Sequence, residues 1–193
     1  MDIIALRFDE LLELIPKFKN SSKESIVATA MSIAKAFESG RKVLICGNGG
    51  SAADSQHFAA EFVNIFSKDI NRRALPAMAL STDTSIITAI ANDSSYNQVF
   101  ARQVEAYTEP GDVVIAFTTS GSSQNCINAV VAANSKGAKS IAFTRTNANI
   151  SKFVEISVEV PSSDTQHIQE CHILAYHIIA ELVENQLFVE GQI

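Results

Sequence analysis

The sequence predicts an α/β fold, a parallel sheet flanked by helices on both faces, and three observations carry that prediction. Short apolar runs at 42–46, 77–80, 113–117, 139–143 and 154–160, most of them rich in β-branched residues, have the composition of buried strands. Helix-compatible stretches separate them at a spacing that suits crossover connections. Two of the runs pass directly into a turn, glycine-rich at 47–51 and hydroxyl-rich at 118–123, that opens a helix.

Before the first strand, Ile4, Phe8, Leu11, Leu12 and Ile15 recur at helical spacing. Asn20-Ser21-Ser22 interrupts the pattern, and a second helix spans 22–39 along Ile26, Ala30, Ile33 and Phe37, with Gly40 as its stop. The reading is an N-terminal helical hairpin over 1–40 that either caps the sheet or packs on a partner chain, with use in oligomerisation favoured. A helix starts near Ser51 after the glycine turn. Ile70-Asn71-Arg72-Arg73, a local basic patch, leads through Pro76 to the second strand. Asp83 or Thr84 caps a helix over 84–91 that closes at Asn92-Asp93, and another helix carries Val99, Phe100, Val104 and Tyr107. Glu109-Pro110-Gly111-Asp112 is a turn into the clearest strand, and the helix after 118–123 stops at Gly137. The last helix runs over 164–187, held by Ile168, Leu174, Ile178, Leu182 and Val183, with His167 and His172 read as solvated or interfacial.

The chain of 193 residues suits one domain with a sizeable core. A net charge of −6 argues against nucleic acid as the main partner, because phosphate neutralisation needs a basic surface. No apolar run reaches the roughly 20 residues needed to cross a bilayer, and the acidic N-terminus lacks a signal-peptide core, so a cytoplasmic location without a membrane partner is expected. Cys46, Cys126 and Cys171 are widely spaced without CxxC pairing, which reads as reduced, buried thiols.

Candidate chemistry gathers at the two turns. Asn48-Gly49-Gly50 lets the backbone approach a ligand at the positive end of a helix, although such turns also serve as plain strand-to-helix connections. His57 and Glu61, at i and i+4, leave one helical face and can act on one ligand or one metal ion; on many helices the same spacing is a surface pair. Hydroxyls and N–H groups at 118–123 make a phosphate cradle or a multiply capped helix start. Both turns lie at strand carboxyl ends and should share one mouth, where ligands of such sheets collect. Gln169 and His177, eight residues apart on the last helix, are either site residues or polar residues of the packing.

Together, Cys-Gly-Asn-Gly-Gly-Ser at 46–51, His57 with Glu61, Ala91-Asn92-Asp93, Thr119-Ser120-Gly121 and Ile168-Gln169-Glu170 through His177 resemble the sugar isomerase (SIS) family, and more narrowly its phosphoheptose isomerases. The resemblance covers nearly the whole chain. It implies a single SIS domain, a flavodoxin-like three-layer sandwich, and conversion of sedoheptulose 7-phosphate to D-glycero-D-manno-heptose 7-phosphate for lipopolysaccharide precursors. Carried onto matching positions, it implies phosphate binding by Thr118, Thr119, Ser120 and Ser123, and sugar contacts from Asn48, Gly49, Gly50, Glu61, Asn92, Asp93 and Gln169. It further implies zinc at His57, Glu61, Gln169 and His177, with Glu61 and His177 as the acid–base pair, in a homotetramer whose sites lie between subunits.

The chain departs from that pattern at Arg145-Thr146-Asn147-Ala148-Asn149, where many members have a Gly-Gly turn, and at Ser122, where an Asn is frequent. Neither change removes a matched chemical group. A rival reading is the related non-enzymatic SIS protein that binds the bacterial replication initiator. That protein lacks the pair matching Glu61 and His177, and their presence here favours the enzyme.

Overall fold

The computed structural model describes residues 2–189. Helix α1 spans Ile3–Glu38, followed by β1 (Val43–Gly47), α2 (Gly50–Val63), β2 (Ala77–Ala79), α3 (Thr84–Asp93) and α4 (Ala101–Tyr107). Then come β3 (Val113–Thr118), α5 (Gln124–Ser135), β4 (Lys139–Arg145), β5 (Ile156–Val160) and α6 (Thr165–Phe188). The five strands are all parallel in the order β2-β1-β3-β4-β5. The chain leaves β1 in one direction for β2 and returns on the other side for β3. That reversal makes the crevice between β1 and β3 the topological switch point.

Alternate residues of the buried strands feed opposite faces. Val43, Ile45, Ile115, Phe117, Ile141 and Phe143 pack under α1, α2 and α6. Leu44, Cys46, Val114, Ala116 and Ala142 meet the residues of α4 and α5, with Ile87, Ile90 and Ala91 of α3 at the margin. Three layers result, and a sheet covered on both sides needs the near-continuous apolar strands seen here. Cys46, Cys126 and Cys171 are free and buried. No helix among the described residues is long and apolar enough to cross a membrane.

The helical hairpin expected at the N-terminus is instead one continuous helix. Asn20-Ser21-Ser22 does not break it, because Ser22 is buried and its hydroxyl donates to the Glu159 carbonyl of β5 at 2.7 Å, while the Ser21 hydroxyl bonds back to the Phe18 carbonyl at 3.2 Å. Leu14, Phe18, Ile26, Ala30 and Ile33 then form one buried face running through the suspected break. Pro16 is tolerated on the exposed side, where water can bond the carbonyl left without an N–H partner. At the other boundaries, α3 continues through Asn92 and Asp93, β5 begins at Ile156, and Asp164 caps α6 by accepting from the Gln166 and His167 N–H groups.

Candidate active site

The turn after β1 uses glycine where its geometry requires it. Gly49 has φ of 57° and occupies the N-cap of α2 without a side-chain cap, a backbone state that side-chain-bearing residues adopt at a penalty. A Cβ at Gly50 would overlap the Gln169 amide, so Gln169 reaches from α6 to this mouth. Asn48 is tied sideways by a reciprocal pair, its Nδ2 donating to Asn125 Oδ1 at 2.9 Å and accepting at Oδ1 from Asn125 Nδ2 at 2.8 Å. The Tyr96 hydroxyl also donates to Asn48 Oδ1 at 3.2 Å. These bonds lock the β1 turn to the start of α5.

In the loop after β3, Thr118 is buried and its Oγ1 donates to Ser123 Oγ at 3.1 Å while accepting the Gly121 N–H at 3.2 Å. Ser120 Oγ accepts the Ser122 N–H at 3.2 Å, and Arg145 Nε–H donates to the Ser120 carbonyl at 3.2 Å. Ser123 is the N-cap of α5 and makes no side-chain capping bond; the Cys126 N–H donates to Asn125 Oδ1 at 3.0 Å, which leaves the Gln124 and Asn125 N–H groups able to serve an anion. Thr118 therefore shapes the loop from beneath, with Thr119 and Ser120 nearer the surface. Gly121 has φ of +68°, and a Cβ there would overlap Ala148 and Thr144. Gly121→Ala is expected to destabilise the protein by at least about 1 kcal/mol and to raise KM for a phosphorylated substrate, as read by urea unfolding and steady-state kinetics.

Helices α2 and α6 run parallel: Gly50 meets Gln169, His57 meets Tyr176 and His177, and the N–H groups of Phe66 and Ser67 just beyond α2 donate to Glu184. This arrangement brings the predicted His57, Glu61 and His177 together. His57 Nε2 lies 3.0 Å from Glu61 Oε1 and 3.3 Å from His177 Nε2. One ligand-type atom from each of the three falls within 4.8 Å of the others. Burial, reinforced by the charge of His57 and opposed by that of Glu61, lowers the His177 pKa, which keeps its imidazole neutral near pH 7. Neutral imidazole nitrogen and carboxylate oxygen are the donors a zinc ion takes, so the three side chains fit such an ion. Gln169 stands about two turns away along α6, at the Gly50 end.

Several contributors had no signal in the sequence. The Tyr176 hydroxyl lies 2.8 Å from His57 Nδ1. Arg72 is no surface patch: its buried side chain pairs with Glu184 Oε1 at 2.6 Å and donates to the Glu61 and Phe62 carbonyls at 2.7 and 2.9 Å, closing the end of α2. His167 and His172 are buried rather than solvated. His167 lies between Glu170, at 2.6 Å, and Glu10, at 3.2 Å, and the Glu170 carboxylate is the main cause of its raised pKa. His172 sits edge-on to Phe117 and Phe143, where burial lowers its pKa to about 4.

Asp54 lies one turn before His57, buried, with Oδ2 unpaired among the described residues. Burial raises its carboxyl to about 6 from an ordinary 3.8, partly opposed by His57. Between those values the folded chain binds the proton and the unfolded chain does not, so stability falls as pH rises through this window. Asp54→Asn should therefore stabilise the metal-free protein above pH 6, by up to about 3 kcal/mol, with the gain vanishing as pH falls from 6 to 4. Urea unfolding across pH reads both the sign and the window.

Asn92 and Asp93 are exposed at the end of α3 and bond to each other at 2.8 Å; among the described residues they make no hydrogen bond to the loops or to the His57 cluster. A cavity of about 1040 Å³ lies at the opposite end of the sheet, near Val113 and Lys139, and contains none of the predicted site residues.

The SIS-domain family pattern matches residues 8–145. A phosphoheptose isomerase from Thermodesulfovibrio yellowstonii is 48% identical, covering 97% of this chain and 92% of its own length. One from Aquifex aeolicus is 49% identical over 93% and 94%. The structure of a phosphoheptose isomerase from Francisella tularensis superposes with a TM-score of 0.91 at 33% identity, covering 95% of this chain and 97% of that one. With a matching fold, near-complete coverage and the His57–Glu61–His177 cluster in place, the chain belongs to the phosphoheptose isomerase family of SIS-domain proteins and is an isomerase.

Proposed function

We propose that this protein, acting as one SIS domain per chain, interconverts sedoheptulose 7-phosphate and D-glycero-D-manno-heptose 7-phosphate, in the supply of lipopolysaccharide precursors. The observation that carries the proposal is the convergence of His57, Glu61 and His177 on one spot between α2 and α6, in a chain whose relatives are named phosphoheptose isomerases. Thr119, Ser120, Ser123 and the open N-terminus of α5 bind the phosphate, with Thr118 holding their geometry. Asn48, Gly49, Gly50, Gln169, Asn92 and Asp93 face the sugar hydroxyls.

Aldose–ketose isomerisation removes a proton beside a carbonyl and returns it to the neighbouring carbon by way of an enediolate. Glu61, only 18% exposed, carries the carbon proton, and the neutral His177 imidazole exchanges the proton on oxygen. His57 holds Glu61 in place from the same helix. Zinc held by His57, Glu61 and His177, with Gln169 as a proposed fourth donor, would polarise the carbonyl and stabilise charge on the oxygens. With two carboxylate oxygens, Glu61 could bind the ion through one and carry a proton on the other, whereas a His177 nitrogen bound to the ion would have no lone pair left for a proton.

The assay is turnover of sedoheptulose 7-phosphate, followed as aldose product, with added zinc and with chelator. Product formation that chelation removes supports both halves of the proposal, and turnover indifferent to chelator removes zinc from it. A folded, zinc-supplied protein without turnover overturns the substrate assignment. The homotetramer belongs to the same proposal: Ile4, Phe8 and Leu12 of α1 and Ile173, Leu174 and Ile178 of α6 leave apolar surface exposed on the single chain. Light scattering should give four times the chain mass of 20.8 kDa.

A further inference from the structure

We infer that the Tyr176 hydroxyl, backed by Asp54, is a two-position switch that sets which ring nitrogen of His57 carries the proton, and so whether Nε2 faces the Glu61–His177 cluster protonated or bare. The inference deepens the zinc reading and rests on it for its second position.

Tyr176 is fully buried and its ring is stacked on Phe58 with centroids 5.2 Å apart, which fixes where its oxygen lies. That oxygen is 2.8 Å from His57 Nδ1, and the two rings meet edge-on at 76°. On the far side of the imidazole, Nε2 is 3.0 Å from Glu61 Oε1. A neutral imidazole has one N–H and one lone pair, so Tyr176 at Nδ1 and the pair of Glu61 and His177, whose Nε2 is 3.3 Å away, at Nε2 must be served in one of two complementary ways.

In the first position, His57 Nε2–H donates to Glu61 and the bare Nδ1 accepts the Tyr176 O–H. In the second, Nδ1–H donates to the Tyr176 oxygen and Nε2 is bare, ready to bind a metal ion. Between the two, the ring loses a proton at Nε2 to water and gains one at Nδ1, with no net change. The Tyr176 O–H bond stays intact and only rotates, but in the second position it needs a new acceptor.

We assign Asp54 as that acceptor. It precedes His57 by one helical turn on α2, and its Oδ2 is buried without a partner among the described residues. A buried carboxylate without a partner is destabilising. The second position supplies its missing hydrogen bond. An imidazole that binds metal through one nitrogen is commonly held by a bond at the other, and loss of such a bond weakens metal binding 10- to 100-fold.

The test uses full-length protein with ¹⁵N-labelled histidine, in which long-range ¹H–¹⁵N spectra read the His57 tautomer, assigned by its loss in His57→Gln. Wild type should show the Nε2–H form without metal and the Nδ1–H form with zinc. Tyr176→Phe keeps the ring and its packing, checked by an unchanged unfolding midpoint. It should give a tautomer mixture without metal and a zinc Kd about 10- to 100-fold weaker. Asp54→Ala should weaken zinc binding in the same sense, and Asp54→Asn, whose amide oxygen still accepts, should recover it. Wild-type tautomer and zinc affinity in Tyr176→Phe would overturn the inference. Should zinc leave the wild-type ring unchanged while Tyr176→Phe still shifts the metal-free tautomer, Tyr176 keeps its role and the zinc reading fails.

Discussion

Glu61→Gln is expected to lower turnover by about 10²- to 10⁴-fold while the protein stays folded with its oligomeric state unchanged. The amide keeps the shape of the carboxylate and can still bond His57, but it has no basic oxygen to accept a carbon-bound proton. His177→Gln should fall into the same range, because the amide cannot exchange a proton near neutral pH. The double variant should be little worse than the poorer single one, since residues that act as one unit lose their effect together. Steady-state kinetics on sedoheptulose 7-phosphate, with circular dichroism and light scattering as controls, reads all three. Near-normal turnover in either single variant would remove that residue from the acid–base assignment.

The second large effect lies beneath the site. Glu184→Ala should destabilise the protein by about 3–5 kcal/mol, measured by urea unfolding. The Arg72 and Glu184 side chains are 0% and 1% exposed, so removing the carboxylate leaves a buried guanidinium without its counter-charge. It also strips the Phe66 and Ser67 N–H groups of their acceptor, now at 2.8 and 2.9 Å. Because Arg72 holds the Glu61 carbonyl at 2.7 Å, turnover should fall as well. Arg72→Met with Glu184→Leu should be less harmful than Glu184→Ala alone, since it removes both charges together. A more damaging double variant would mean that the pair's hydrogen bonds to the backbone, rather than the unpaired charge, carry the stability. Arg72→Lys should not rescue, because one ammonium cannot reproduce the planar fork that reaches Glu184, Glu61 and Phe62.

Much of this architecture was legible along the chain. Apolar runs such as 113–117 admit few alternatives to a buried strand, and a glycine or hydroxyl turn after such a run marks a strand's carboxyl end whatever surrounds it. The i, i+4 spacing of His57 and Glu61 likewise guarantees a shared helical face. These features are local, set by side-chain shape and backbone geometry within a few residues.

The remaining features came from packing, because their determining partners lie far apart in the chain. Asn20-Ser21-Ser22 reads as a break until the Ser22 hydroxyl finds the Glu159 carbonyl on β5, and then one helix stands where two were expected. Arg72 looks like a surface cation until Glu184, four helices later on α6, encloses it. His167 and His172 look solvated until α1 and the sheet close over them. The layers, the strand ends and the face that carries His57 and Glu61 follow from local residue patterns. Bringing His177, Tyr176 and Gln169 to that face required α6 to lie parallel to α2, a consequence of how the two helices pack on the sheet that no local pattern encodes.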